Sequence, residues 1–225
     1  MAKLTINLSA ITQNHAFISQ KIGAACTLAP VVKAGAYGLG MPPIAKTLHN
    51  IGSKNFFVAT LEEGIALRSL LKDVGIYALS GVETGAAQDY AHYTITPVLN
   101  NPAQLQEYQN YAKAINRALP AGLHFDTGMN RLGFKDTNFD ISGLAIQIVM
   151  SHFASADDPS SKLTAIQFAK FKEIAALYPN AKKSLCNSAG IFVNDAYHLD
   201  MVRPGMALYG LNPTPGQDNP MYPVI

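Results

Sequence analysis

Five clusters of polar residues stand directly after short apolar runs in this chain, and each has side chains that could do chemistry. Lys33 closes the run Pro30-Val31-Val32 and leads into Ala34-Gly35-Ala36-Tyr37-Gly38. Asp126-Thr127-Gly128-Met129-Asn130-Arg131 ends a second run, and Ser151-His152 follows a third. Asn187-Ser188-Ala189-Gly190 and Arg203-Pro204-Gly205-Met206 follow the last two. A lysine held among apolar neighbours loses part of its preference for the charged form and becomes an amine nucleophile toward a carbonyl carbon. Ser188 offers a hydroxyl at a helix start, and Gly205 lets backbone N–H groups come close to an anion. Singly, each cluster has an ordinary reading. Lys33 could snorkel to the surface, and His152 could be a satisfied structural histidine. Asn187-Ser188 could be a helix cap, and Arg203 half of a surface ion pair. Jointly they describe an amine on one side and a phosphate cradle on the other. A phosphorylated aldehyde would bridge them, either the cofactor pyridoxal 5′-phosphate or a phosphosugar that forms a Schiff base.

Such a constellation needs elements that bring five distant segments to one rim. The apolar patterning supplies them. Leu4 to Leu8 reads as an entry strand, and Ser9 as the N-cap of a helix that carries Ile11, Ile18 and Ile22 on one face. Strands are then expected at 30–32, 56–59, 76–79, 94–99, 122–126, 146–150, 184–186 and 199–202. Helices are expected from Pro42 to Gly52, Leu61 to Leu71, Glu83 to Ala91, Asn101 to about Ala118, and Leu163 to Leu177. In the last of these, Ile166, Phe168, Phe171, Ile174 and Leu177 are the candidate core positions. Eight strands alternating with helices over 225 residues fit a (β/α)₈ TIM-type barrel, whose active sites sit at the strand C-termini. The competing doubly wound sheet would want a G-x-G-x-x-G turn after its first strand, and Gly35, Gly38 and Gly40 have the wrong order. The expected organisation is a barrel domain over 1–212 and a proline-rich linker over 213–225.

Composition narrows the function. The chain is 48% hydrophobic and 14% charged, with a formal net charge of +2, so nothing in it favours nucleic acid or an anionic membrane. Cys26 and Cys186 follow no metal spacing and read as reduced thiols, and no metal site is expected. Neither a signal peptide nor an apolar stretch of ~18 residues is visible, so a cytoplasmic protein is expected.

The residues now match a known family. The chain resembles alanine racemase in its pyridoxal-phosphate barrel domain, of the fold type III architecture. The resemblance rests on the segments 31–38, Leu61-Glu62-Glu63-Gly64, Asp126 through Phe134, Met150-Ser151-His152-Phe153-Ala154, Asn187-Ser188-Ala189-Gly190, and Arg203-Pro204-Gly205-Met206-Ala207-Leu208-Tyr209-Gly210. It implies that Lys33 bonds to pyridoxal 5′-phosphate through an imine and serves as one of two racemising bases. It implies that Tyr37, Ser188, and the backbone at Gly205 and Met206 hold the phosphate, and that Arg203 points at the pyridine nitrogen. Arg131 would support the substrate carboxylate and the cofactor's phenolic oxygen, with His152 and Asn187 lining the cofactor. The implied substrate is alanine, and the implied product D-alanine serves cell-wall peptidoglycan. In the family the second base is a tyrosine from a C-terminal β domain of the other subunit of a homodimer. Since this chain stops at Ile225, the expectation is a barrel that binds cofactor and racemises poorly or not at all. A single-domain barrel that only binds the cofactor is the alternative. Basic amino acid decarboxylases of similar fold carry a triple-glycine phosphate loop that this chain lacks. Three positions depart from the family pattern: Gly35, Leu39, and His124 in place of a carbamate-bearing lysine that props the arginine matching Arg131. That arginine would then be supported by an anion, by Asp126, or by neutral His124.

Overall fold

A computed structural model describes residues 3–225. Met1 and Ala2, the first two residues of the expected barrel domain, lie outside the described residues. Among the described residues there are eight strands and eight α-helices, which alternate except that the second and third helices follow one another and the fifth strand leads directly into the sixth. The strands are β1 (Thr27–Leu28), β2 (Asn55–Val58), β3 (Gly75–Ala78), β4 (Thr96–Leu99), β5 (Leu119–His124), β6 (Leu144–Met150), β7 (Lys182–Ser184) and β8 (Met201–Val202). All are parallel, with β2 through β7 side by side in sequence order and β1 paired with β8. Hydrogen bonds close both gaps. Beyond β1 the Val32 amide donates to Phe57 O and the Phe57 amide to Pro30 O, each at 2.9 Å. Between β7 and β8 the Asp200 amide donates to Lys183 O at 3.1 Å, and the Ser184 hydroxyl to Met201 O at 2.6 Å. The result is a (β/α)₈ barrel.

Strand alternation sorts the core into two layers. Ala29, Val31, Phe57, Tyr77, Val98, Ile148, Met150 and Met201 fill the barrel interior as one cluster. Their neighbours Phe56, Val58, Ile76, Ala78, Leu99 and Val149 face outward and join the cluster under the helices. Gly122 marks a close approach between strands. A β-carbon there would stand 2.8 Å from Ile148 Cγ2 and 3.3 Å from Val98 Cγ2.

The helices are α1 (Leu8–Ile22), α2 (Lys33–Tyr37), α3 (Met41–Asn50), α4 (Leu61–Leu70), α5 (Ala87–His92), α6 (Pro102–Ala114), α7 (Leu163–Ala176) and α8 (Gly190–Val193). Several expectations are corrected. Leu4 to Leu8 is not a strand, and the cap of α1 is Asn7 rather than Ser9, its side chain accepting from the Ala10 amide at 3.2 Å. Asn7 is itself anchored, since its own amide donates to Val224 O at 2.8 Å. The first strand begins earlier than expected, at Thr27, where amides 27, 29 and 31 ladder onto carbonyls 200, 202 and 204. The helix expected from Glu83 starts only at Ala87, after Gly85 adopts φ +83°. On α7, Phe171 and Ile174 are buried as expected, but Ile166 and Leu177 are 59% and 60% exposed. The buried face runs through Thr164, Gln167, Phe171, Ile174 and Ala175 instead. Of residues 213–225, expected as a linker, Pro213 and Pro215 line the cavity at the C-terminal ends of the strands and the last few residues meet α1. Tyr222 exchanges hydrogen bonds with the Asn14 side chain (2.7 and 2.9 Å), and Met221 and Val224 are buried. Among the described residues no helix is long and apolar enough to cross a membrane.

Candidate active site

A cavity of about 480 Å³ opens at the C-terminal ends of the strands. That volume is within the ~300–1,000 Å³ range of small-molecule sites. Lys33, Tyr37, Arg131, His152, Asn187, Ser188, Arg203, Gly205 and Met206 all line it. His124, also raised by the sequence, reaches the cavity too, as do Met129 and Leu132 of the segment 126–134 and Pro213 of the expected linker; Asp157, which the sequence had not raised, joins them.

Lys33 enters the cavity from an unusual backbone. In α2, Ala34, Gly35, Ala36 and Tyr37 have φ of 51°, 61°, 56° and 58°, which makes a left-handed turn. For L-residues other than glycine this costs about 1–2 kcal/mol each. Amides of Ala36, Gly38 and Gly40 close the turn at 2.9, 2.8 and 2.8 Å. The Glu63 carboxylate accepts from the Ala34 amide at 2.6 Å and from the Ala59 amide at 2.7 Å. Burial, then the charge of Arg131, lower the Lys33 pKa below the usual lysine value; Glu63 opposes this and Arg203 adds to it. A larger share of the amine is therefore neutral and nucleophilic than for a solvated lysine.

The far wall is built on Ser188 and Gly205. Ser188 Oγ accepts from the Gly205 and Ala207 amides, both at 3.1 Å, so its own O–H is left to donate. The Tyr37 ring packs against Tyr209 at 5.0 Å, and its hydroxyl lies against Gly205 where a β-carbon would otherwise stand. Neither the Tyr37 hydroxyl nor the Met206 amide has a protein acceptor among the described residues. Three donors without acceptors around one glycine form a cradle suited to a phosphate.

Arg203 is 4% exposed, and burial lowers its pKa to about 10, which leaves it charged at neutral pH. It donates to Ser184 Oγ, to Ser151 O at 2.6 Å and to Leu185 O at 3.3 Å, and its guanidinium carbon stands 5.8 Å from the Phe57 ring centre. It also donates to His152 Nδ1 at 3.3 Å. A guanidinium has no lone pair to offer, so Nδ1 is the acceptor and neutral His152 carries its proton on Nε2. Burial and the charges of Arg203 and Arg131 hold the His152 pKa well below the ordinary histidine value. The tautomer of His124 is opposite. Asn100 Nδ2 donates to Leu79 O and Val98 O, which fixes Asn100 Oδ1 as the acceptor for His124 Nδ1–H at 2.8 Å. Burial, Arg203 and Arg131 push the His124 pKa down to about 3, so its Nε2 keeps a free lone pair at neutral pH.

Arg131 is exposed and makes no side-chain hydrogen bond among the described residues. Asp126, one of its expected supports, is engaged with the loop backbone, accepting from the Gly128 and Asn130 amides at 2.9 and 3.0 Å. Burial alone would raise the Asp126 pKa, but those amides and that of Met129 hold it below the ordinary value. No role for Gln167, fully buried on α7, was legible in the sequence. It donates to His152 O at 2.9 Å and to Thr127 Oγ1 at 3.3 Å, and accepts from the Ala154 amide at 2.9 Å. It thereby ties together the loops after β5 and β6. Glu63 was legible as the fourth residue of a capping box begun by Thr60, but its side chain leaves the cap for two distant amides.

Comparison with known proteins gives one consistent result. A family model described as "Alanine racemase, N-terminal domain" matches residues 6–213. The alanine racemase of Methylobacterium nodulans is 41% identical over 232 residues, aligning with all of this chain and 62% of its own length. That of Rickettsia prowazekii is 41% identical over 221 residues, covering 94% of this chain and 54% of its own length. The crystal structure of alanine racemase from Bartonella henselae with covalently bound pyridoxal phosphate superimposes with a TM-score of 0.92 at 35% identity, covering 98% of this chain and 64% of that one. The chain thus spans somewhat over half the length of the relatives it matches.

Proposed function

Since this chain belongs to the alanine racemase N-terminal domain family, we propose that it is the pyridoxal 5′-phosphate-binding barrel of an enzyme that interconverts L- and D-alanine. One observation carries the reading. A lysine of lowered pKa shares a cavity with a cradle of acceptor-free donors and a buried arginine. That donor set fits a phosphorylated pyridine aldehyde. Lys33 Nζ would hold the aldehyde carbon, Tyr37 Oη, Ser188 Oγ and the Met206 amide the phosphate, and Arg203 the ring nitrogen.

When bound, the cofactor withdraws electrons from the substrate's Cα–H bond. The chain's own residues do the rest. Lys33 Nζ would remove or return the Cα proton on one face. Arg203 keeps its protons at neutral pH and cannot pass one to the ring nitrogen, which leaves the ring a weaker electron sink. Arg131 at the cavity mouth offers a cation to the substrate carboxylate. His152 and Asn187 line the space between. Inverting Cα needs a second acid–base group on the opposite face, because one base returns the proton to the side it left. In this reading that group is a tyrosine of a second subunit in a homodimer, and these 225 residues alone turn over alanine slowly or not at all. The same reading places the enzyme in the cytoplasm, supplying D-alanine to peptidoglycan.

The test is covalent. Incubated with pyridoxal 5′-phosphate and reduced with borohydride, the chain should gain one phosphopyridoxyl group at Lys33, water leaving as the imine forms, and Lys33→Ala should gain none. The rate of capture should rise with pH through a midpoint below the ordinary lysine value. Labelling spread over surface lysines, with Lys33 unmodified, would overturn the reading.

A further inference from the structure

Two strand ends and one helix meet at a single carboxylate. Lys33 and the left-handed turn after it leave the extended strand that follows β1. Ala59 is the first residue past β2, and Glu63 sits in the first turn of α4. One Glu63 oxygen accepts from the Ala34 amide and the other from the Ala59 amide, at 2.6 and 2.7 Å. Both are charge-assisted hydrogen bonds. Ala34 is the first of four consecutive residues in the left-handed region, and Ala36 and Tyr37 among them also carry a β-carbon. Such a run persists only where its surroundings over-determine it. The closing amide bonds lie within residues 32–40, so by themselves they do not tie the turn to another element. Val32, just before the turn, is held to β2 by its own amide bond to Phe57 O, and within the turn the Glu63 carboxylate is the hydrogen-bond contact that ties Ala34 to the end of β2.

We propose that Glu63 is the positioning residue for Lys33: its carboxylate pins the left-handed turn to the end of β2, and so fixes both the Lys33 amine and the Tyr37 hydroxyl on their two sides of the cavity. Glu63 does not line the cavity itself. Its influence on a bound molecule passes through the backbone and through its charge. The assignment rests on Lys33 being the cofactor-binding amine, as proposed above, while the clamp itself is open to test without any cofactor.

Glu63→Gln keeps the length of the side chain but turns an NH₂ group toward one of the two amides. Native-state amide exchange, read by NMR on the full chain without cofactor, should speed up at Ala34 or Ala59 by about 10-fold or more, with the barrel strands unchanged. Capture of pyridoxal 5′-phosphate at Lys33 should slow by about 10-fold or more, the effect of losing one hydrogen bond to a charged group. Adding Ala34→Gly removes the left-handed penalty at that residue and should restore capture to within about 3-fold of the unaltered chain. The pH midpoint of capture gives a separate readout. The charged groups facing Lys33 are Arg131, Glu63 and Arg203, with neutral His152 beside them. Without the Glu63 charge the midpoint should fall, and Ala34→Gly should not return it. Unchanged exchange at both amides, or capture that Ala34→Gly fails to rescue, would overturn the clamp. Faster exchange in Glu63→Gln, together with no capture by the unaltered chain, would uphold the clamp and overturn the assignment of Lys33.

Discussion

The Tyr37 hydroxyl occupies the space that a β-carbon on residue 205 would need. Tyr37 comes from the left-handed turn after Lys33, and Gly205 from the loop after β8, so the contact joins the two sides of the cavity floor. Gly205→Ala should push the hydroxyl out of the phosphate cradle. Loss of one hydrogen bond to an anion, about 1.5–3 kcal/mol, implies an affinity for pyridoxal 5′-phosphate at least about 10-fold weaker. Absorbance titration checks this, and an unchanged affinity would remove Tyr37 from the cradle.

Stability should climb as pH rises from about 3 to 6.5. His124 titrates near 3 when folded, against 6.5 when free. Between those values the unfolded chain binds the extra proton, so the folded state gains stability with pH; below both, the loss is complete. The separation corresponds to roughly 4–5 kcal/mol. Asp126 acts in the same sense, its lowered pKa adding stability that is lost as pH falls through the carboxylate range. Urea unfolding at pH 4 and pH 7 should show the difference. His124→Gln should flatten the slope without abolishing it.

Gln167→Glu should destabilise by roughly 2–4 kcal/mol. The substitution replaces two donors by an acceptor, leaving His152 O and Thr127 Oγ1 facing an oxygen in a buried site. Denaturant midpoints measure it, and a change under ~1 kcal/mol would show that water takes the place of the amide.

The two faces of α7 should separate cleanly. Phe171→Ala should cost about 3–5 kcal/mol, whereas Ile166→Ser and Leu177→Ser, at exposed positions, should stay within about 0.5 kcal/mol. Thermal unfolding of the three variants decides whether the helix packs through Phe171 and Gln167 as described.

The parallel barrel and the polar clusters after five of its strands could be read from the chain, because period-2 apolar runs and capping residues are local signals, although the entry strand expected at Leu4 to Leu8 is absent. So could the residues that meet at the cavity, since a barrel brings every strand's C-terminal end to one rim. Tertiary structure decided the rest. Nothing in Ala34 or Ala36 announces positive φ; the turn is held from outside, by Glu63 of another element. An apolar face on α7 chose Phe171 over Ile166 because contact with the sheet, not hydrophobicity alone, sets which side is covered. The opposite tautomers of His124 and His152 follow from Asn100 and Arg203, partners 24 and 51 residues away in the chain, and a proton's place in a dry site is fixed by what stands across from it.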